Sequence, residues 1–186
     1  MKIILAITAA SGAIYARQTL SLLLADEGVS RIALIYSSSA REVVEYEGES
    51  LIEADGERVV EYPNSDMFSS VASGSAGWDA MIIAPCSVGT LGRIASGVSD
   101  SLIARAADVM MKERRRLVLV VRESPLSLIH LRNMVTLTES GAIVMPASPN
   151  FYMGAESVEK VALSVSRRVV SIVGCRGDVE AWEGKR

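Results

Sequence analysis

Five short runs of Val, Ile and Leu, at Ile3–Thr8, Arg31–Tyr36, Ala80–Pro85, Arg116–Val121 and Ala142–Pro146, constrain this chain more than any other feature. Within each run the apolar residues are continuous rather than alternating, the pattern of strands buried on both faces in a parallel sheet. Between the runs the apolar period becomes helical, predicting helices at about 13–26, 38–47, 87–95, 99–114, 127–139 and 156–173. Strand–helix–strand alternation of this kind predicts an α/β fold, a single-domain, Rossmann-like, doubly wound parallel sheet with helices on both faces. Segment 48–66, where Asp55-Gly56 separates Leu51-Ile52 from Val59-Val60, fits either a small hairpin or an excursion from the sheet. No Pro/Gly/Ser-rich linker interrupts the chain, so residues 1–175 read as one domain and 176–186 as a C-terminal tail.

Composition removes several function classes. Nineteen basic and 22 acidic residues give a net charge of −3, too balanced for a nucleic-acid binder. Two cysteines, Cys86 and Cys175, form no disulfide framework, and the single histidine, His130, leaves a zinc site without ligands. The longest uncharged stretch, Ser140 to Ala155, is broken by Gly141, Pro146, Pro149 and Gly154, so no membrane span is expected. Met1-Lys2 and the apolar run after it run straight into the Gly12 turn and an amphipathic segment, as a first core strand does and a signal peptide does not. A cytoplasmic protein is the expectation.

In doubly wound sheets ligands bind beyond the carboxyl ends of the strands, so the residues following each run are the candidates for chemistry. After the first run comes Thr8-Ala9-Ala10-Ser11-Gly12, a turn of small residues that lacks the G-x-G-x-x-G fingerprint. Ser37-Ser38-Ser39 follow the second, and Pro85-Cys86-Ser87-Val88-Gly89-Thr90 end the third, where hydroxyls and free amides at a helix start suit a phosphate. Each is also an ordinary helix cap; three on one edge favour phosphate binding. Arg122-Glu123 after the fourth run fits a structural ion pair or a catalytic acid with its orienting arginine. After the fifth, Phe151-Tyr152 ends a Pro-rich loop, Tyr152 being either an anion donor or a rim residue.

On the fourth helix Arg105, Asp108 and Lys112 share a face, and surface pairing suffices to explain them. On the last helix Val158, Val161, Ala162, Val165, Val169, Ile172 and Val173 make an apolar stripe, opposite Lys160, Ser164, Arg167 and Ser171. Arg168 falls on or beside that stripe, a packed and snorkelling side chain or an anion-binding one, and periodicity favours the former. Cys86 reads as a small buried side chain rather than a nucleophile, and His130 as structural.

Taken in order, Ala10-Ser11-Gly12-Ala13-Ile14-Tyr15, Pro85-Cys86-Ser87-Val88-Gly89-Thr90-Leu91, Arg105-Ala106-Ala107-Asp108, Lys112-Glu113-Arg114-Arg115, Arg122-Glu123-Ser124-Pro125-Leu126, His130-Leu131-Arg132-Asn133-Met134 and Phe151-Tyr152 resemble the UbiX-type flavin prenyltransferases over about residues 1–173. The resemblance implies a flavodoxin-like sheet and FMN, in its reduced form, as substrate. It implies transfer of a dimethylallyl group, from dimethylallyl monophosphate or diphosphate, to flavin N5 and C6 without a metal. It further implies that the prenylated FMN goes to a UbiD-type decarboxylase, and that the protein is a homo-oligomer, a dodecamer, with sites at subunit junctions. FMN contacts implied are Ala10, Ser11, Ser37, Ser87, Val88, Gly89, Thr90 and Arg122; prenyl-phosphate contacts are Tyr152 and Arg168, supported by Arg105 and Lys112. Glu123 would assist phosphate departure, Ser11 and Glu47 would handle protons near N5 and C6, and Phe68 or Trp182 would face the allyl cation.

The chain departs from that family's usual pattern at Ala9 (Gly), Val121 (Pro), Met153 (His) and Met67-Phe68 (Trp in some members). Two other readings compete: a non-catalytic FMN carrier or accessory subunit of a decarboxylase, and a flavin-dependent cysteine decarboxylase. The second would need a Pro-Ala-Ser-Ala-Asn-Thr type turn at 85–90 and a histidine near the second helix, and has neither.

Overall fold

A computed structural model describes residues 1–50, 53–151 and 156–177. Six strands, β1 (Lys2–Ile7), β2 (Arg31–Tyr36), β3 (Val59–Glu61), β4 (Ala80–Cys86), β5 (Arg116–Val121) and β6 (Ile143–Pro146), form one sheet in the order β3-β2-β1-β4-β5-β6, and every pair is parallel. The order is that of dinucleotide-binding sheets. Without the three-residue edge strand β3 it becomes the flavodoxin order, so the two descriptions of this fold differ by one short strand. The order reverses between β1 and β4, which places the crevice for a ligand above their carboxyl ends.

Six helices cover the sheet: α1 (Ala13–Ala25), α2 (Ala40–Tyr46), α3 (Val88–Ala95), α4 (Leu102–Lys112), α5 (Leu128–Glu139) and α6 (Val158–Ile172). Alternate strand residues feed opposite cores. Ile3, Leu5, Ile32, Leu34 and Ile82 pack with α1, α2 and α6. Ile4, Ala6, Ile35, Met81, Ile83 and Leu119 pack with α3, α4 and α5. Both faces being dry explains why the runs are continuously apolar in sequence.

Segment 48–66 contributes Val59–Glu61 as a parallel edge strand beside β2, while Leu51-Ile52 lie outside the described residues. Arg58, just before β3, ties that edge to α1 by donating to the carbonyls of Leu23, Leu24, Asp26 and Val29 around the helix's open C-terminal end. Two single-turn 3₁₀ helices, Ser70–Ala72 and Gly74–Ala76, lead into β4 and have no distinct signature in the sequence.

The last helix departs from the apolar stripe read in the sequence, and α5 leaves most of its apolar residues uncovered. The buried face of α6 is Ala162, Val165, Ser166, Val169 and Val170, so Val158 is exposed and Arg167 turns half inward. Arg168 is exposed rather than packed on the stripe. Only Leu137 of α5 is buried; Leu128, Ile129, Leu131 and Val135 lie in solvent on the protomer. At its start Ser127 and His130 cap one another, the Ser127 amide donating to His130 Nδ1 (3.2 Å) and the His130 amide to Ser127 Oγ (3.3 Å), which gives the histidine a structural role. Among the described residues no helix is long and apolar enough to cross a membrane.

Candidate active site

The turns after β1 and β4 are joined by one buried hydroxyl. Thr8 Oγ1 donates to the Pro85 carbonyl (2.8 Å) and accepts from the Ser87 amide (2.8 Å). Beside this joint a hollow of about 320 Å³ opens, lined by Ala9, Ser37, Ser38, Ser39, Ser87, Thr90 and Ser101 together with Asn64, Arg93 and Asp100. Its volume falls within the range of small-molecule sites. A second hollow of about 470 Å³ continues outward past Tyr36, Arg41 and Tyr62.

Ser87 caps α3, its Oγ accepting from the Thr90 amide (3.3 Å) and donating to Thr90 Oγ1 (3.1 Å). The amides of Val88 and Gly89, first in the helix, have no carbonyl four residues back to bind, so they point out of the helix start as anion donors. Six hydroxyls and a helix N-terminus fit the ribityl phosphate of FMN. The small side chains of Ala9, Ala10 and Ser11 leave room for a ring system beside them. Ala9 keeps ordinary negative φ, since Arg114 is the one non-glycine at positive φ among the described residues; the alanine fits where relatives of the resembled family have glycine.

The N-terminus of α1 is already taken. Glu47, at the C-cap of α2, accepts from the Gly12 amide (2.9 and 3.0 Å) and the Ala13 amide (2.7 Å). Burial works against its charge. The Ser11 hydroxyl, the two amides and the Arg122 guanidinium outweigh that and hold the carboxyl below the ordinary glutamate range. Glu47 therefore remains an acceptor at neutral pH and orients the Ser11 hydroxyl. Burial pushes the Tyr15 phenol up, partly opposed by the charge of Arg122. Arg122 thus acts from the end of β5 on both Glu47 and Tyr15.

A depressed carboxylate stabilises the fold above its unfolded pKa and loses that stabilisation as pH falls through the folded value. Glu47→Gln keeps an acceptor but no charge, and is expected to cost about 1 kcal/mol at neutral pH after solvent screening. The difference in Tm between wild type and Glu47→Gln should shrink towards zero as the pH is lowered through the carboxylate range. A difference independent of pH would show that the charge contributes nothing.

Of the residues singled out in the sequence, Ser37, Ser87 and Thr90 line the first hollow, Val88 and Gly89 begin the helix beside it, and Ala10, Ser11, Glu47 and Arg122 gather at the start of α1. Glu123 follows Arg122, exposed, with Oε1 accepting from the Ser124 amide (3.0 Å). Arg105 and Lys112 are not brought to this edge by their own protomer. Arg105 donates to the Ala72 carbonyl (3.2 Å) and Asp108 (2.7 Å), and Lys112 pairs with Glu113. Helical rise sets Lys112 about 14 Å along α4 from Ile103 at the hollow. Phe68 is fully exposed, and Tyr152, Met153 and Trp182 lie outside the described residues. Cys86 is wholly buried, its thiol pushed up to about 12, and cannot serve as a nucleophile.

Arg93, Asp100, Asn64 and Ser101 were not singled out as site residues from the sequence. Asn64 receives the Leu102 amide on its carbonyl (2.7 Å) and the Ile103 amide on its side chain (3.0 Å), so it seats the start of α4 on the hollow. The one sequence cue was the spacing of Arg93, four after Gly89 and hence above the α3 start.

The chain matches the Flavoprotein family over residues 1–174. It is 41% identical over 184 residues to the flavin prenyltransferase UbiX of Thermoplasma acidophilum, covering 98% of this chain and 100% of the relative. With the UbiX of Methanothermobacter thermautotrophicus the identity is 43% over 185 residues, covering 98% and 96%. Among solved structures it resembles AnUbiX in complex with FMN and dimethylallyl pyrophosphate, with a TM-score of 0.90 and 40% identity over 100% of this chain and 98% of that one. It also resembles a dodecameric FMN-dependent UbiX-like decarboxylase from Escherichia coli O157:H7 (TM-score 0.91, 36% identity, 100% of both chains). A PPC decarboxylase mutant shares the fold alone, at 19% identity and a TM-score of 0.63 over 80% of this chain and 82% of that one. On sequence and fold together, the chain belongs to the Flavoprotein family and, within it, to the UbiX-type flavin prenyltransferases.

Proposed function

We propose that this protein joins a dimethylallyl group from a dimethylallyl phosphate to N5 and C6 of reduced FMN, making prenylated FMN. The observation that carries this reading is the meeting of an oriented hydroxyl, Ser11 on Glu47, with the charge of Arg122 at the start of α1, in the turn whose Ala9 lines a hydroxyl-rich hollow. The reduced flavin supplies the nucleophilic atoms. Everything else falls to the protein. Ser37, Ser87, Thr90 and the Val88 and Gly89 amides hold the ribityl phosphate, and Ser11, kept in orientation by the ionised Glu47, relays the proton leaving N5; when the ring closes, the prenyl double bond takes up one proton as C6 gives one up, through the same pair. On the donor, the C–O bond breaks with its electron pair going to phosphate. Glu123 gives that growing anion a proton, while Arg122 holds the flavin beside it.

Tyr152 and Arg168 complete the phosphate contacts in this reading, and Arg105 and Lys112 come from a neighbouring copy. Their local engagement on α4 supports supply in trans, as does the exposed apolar face of α5, which a homo-oligomer would cover. The UbiX-like relative from E. coli O157:H7 is dodecameric, and we assign this chain the same assembly. The product would pass to a UbiD-type decarboxylase in the cytoplasm.

The test is an anaerobic incubation with reduced FMN and dimethylallyl monophosphate or diphosphate, followed by mass spectrometry of the extracted flavin. A flavin heavier by one prenyl unit is expected. Bound but unmodified FMN with both donors would leave a flavin carrier and overturn the transferase.

A further inference from the structure

We propose that Arg93 is the cation that recognises the terminal phosphate of the flavin, making this chain selective for FMN over riboflavin; this rests on the flavin reading above. Arg93 is the one basic and Asp100 the one acidic residue among the described residues lining the hydroxyl-rich hollow. The guanidinium stands directly above the anion-donor end of α3. Arg93 Nη1 donates to the Gly89 carbonyl (3.4 Å), and a Cβ on Gly89 would lie 3.7 Å from the same nitrogen. A larger side chain at Gly89 would crowd that position.

Arg93 Nε reaches Asp100 Oδ2 at 3.4 Å, both side chains about half exposed (55% and 53%). A pair so long and so wet holds the guanidinium weakly, so little is lost when it turns to a better anion. A phosphate seated on the Ser87 and Thr90 hydroxyls and the Val88 and Gly89 amides is such an anion, and the planar guanidinium can meet two of its oxygens at once. Arg122 cannot substitute, because its charge is felt at Glu47 and Tyr15 by the start of α1. Riboflavin, lacking the phosphate, gains nothing from Arg93.

The experiment is a titration of wild type and Arg93→Gln with FMN and with riboflavin, followed by flavin fluorescence at several ionic strengths. Arg93→Gln should weaken FMN about tenfold, equivalent to about 1.4 kcal/mol, while riboflavin stays within about twofold. The salt dependence of FMN affinity should flatten in the variant. Equal weakening of both flavins, or no change in FMN affinity, would overturn the assignment of Arg93. Failure of wild type to bind FMN would instead overturn the flavin reading itself.

Discussion

Glu123→Gln is expected to slow prenyl transfer by about two to four orders of magnitude, the usual contribution of a positioned proton donor, while FMN affinity stays within about twofold. The separation of the two effects follows from where Glu123 lies. Its carboxylate is exposed, and among the described residues its one hydrogen bond is with the Ser124 amide, which a glutamine oxygen can equally accept. The hollow that would hold the flavin is lined by other residues. Fold and flavin site should therefore survive the substitution, and what disappears is a proton for the departing phosphate. Single-turnover measurement with reduced FMN and a dimethylallyl donor reads the rate, and a fluorescence titration reads the affinity. An unchanged rate would remove Glu123 from the mechanism; a rate loss matched by lost FMN binding would make it a structural residue.

Gly12→Ala should be strongly damaging, because it combines a strained backbone with a steric clash at the candidate site. Gly12 precedes α1 at φ +110°, where a side chain is strained, and a Cβ there would lie 2.8 and 2.9 Å from the Tyr15 ring. Relief of that contact requires the ring or the backbone to move, and the backbone here carries the Gly12 and Ala13 amides that Glu47 binds. Backbone strain of about 1–3 kcal/mol together with the disturbed cap should lower Tm by roughly 5–10 °C and weaken FMN at least about tenfold. Gly97→Ala is the control: φ is +68°, yet nothing lies within 4 Å of its Cβ. It should carry the strain alone, with a smaller loss in Tm and unchanged flavin affinity. Equal losses in both variants would show that the contact with Tyr15 does not matter.

The β-sheet was legible because burial on both faces writes itself into sequence as continuous runs; the five runs correspond to β1, β2, β4, β5 and β6. β3 escaped because a three-residue edge strand buries too little to leave a run, and Val59-Val60 suit a hairpin equally well. At the site, the serine and threonine turns were legible from strand-end position alone. The partnership of Glu47 with the α1 amides was not, since it joins residues 34 and 35 apart through the packing of α2. Arg93 and Asp100 escaped for the reason that hid the exposure of Arg168: a charged residue on an amphipathic helix is ordinarily just solvated, and only the neighbouring turn tells which ones face a crevice. Exposed α5 illustrates the reverse case, a pattern that looks like a core-facing stripe but is left uncovered by its own protomer.

The Thr8 hydroxyl, finally, couples the two loops to which the proposed flavin site belongs. Because one buried oxygen bonds both the Pro85 carbonyl and the Ser87 amide, the turn after β1 and the turn after β4 form a single rigid jaw. The entropy of immobilising them is then lost once, when the chain folds, and is not charged again to the ligand. Tight association with the flavin can in this way be inherited from the architecture of the sheet instead of being assembled contact by contact at the encounter.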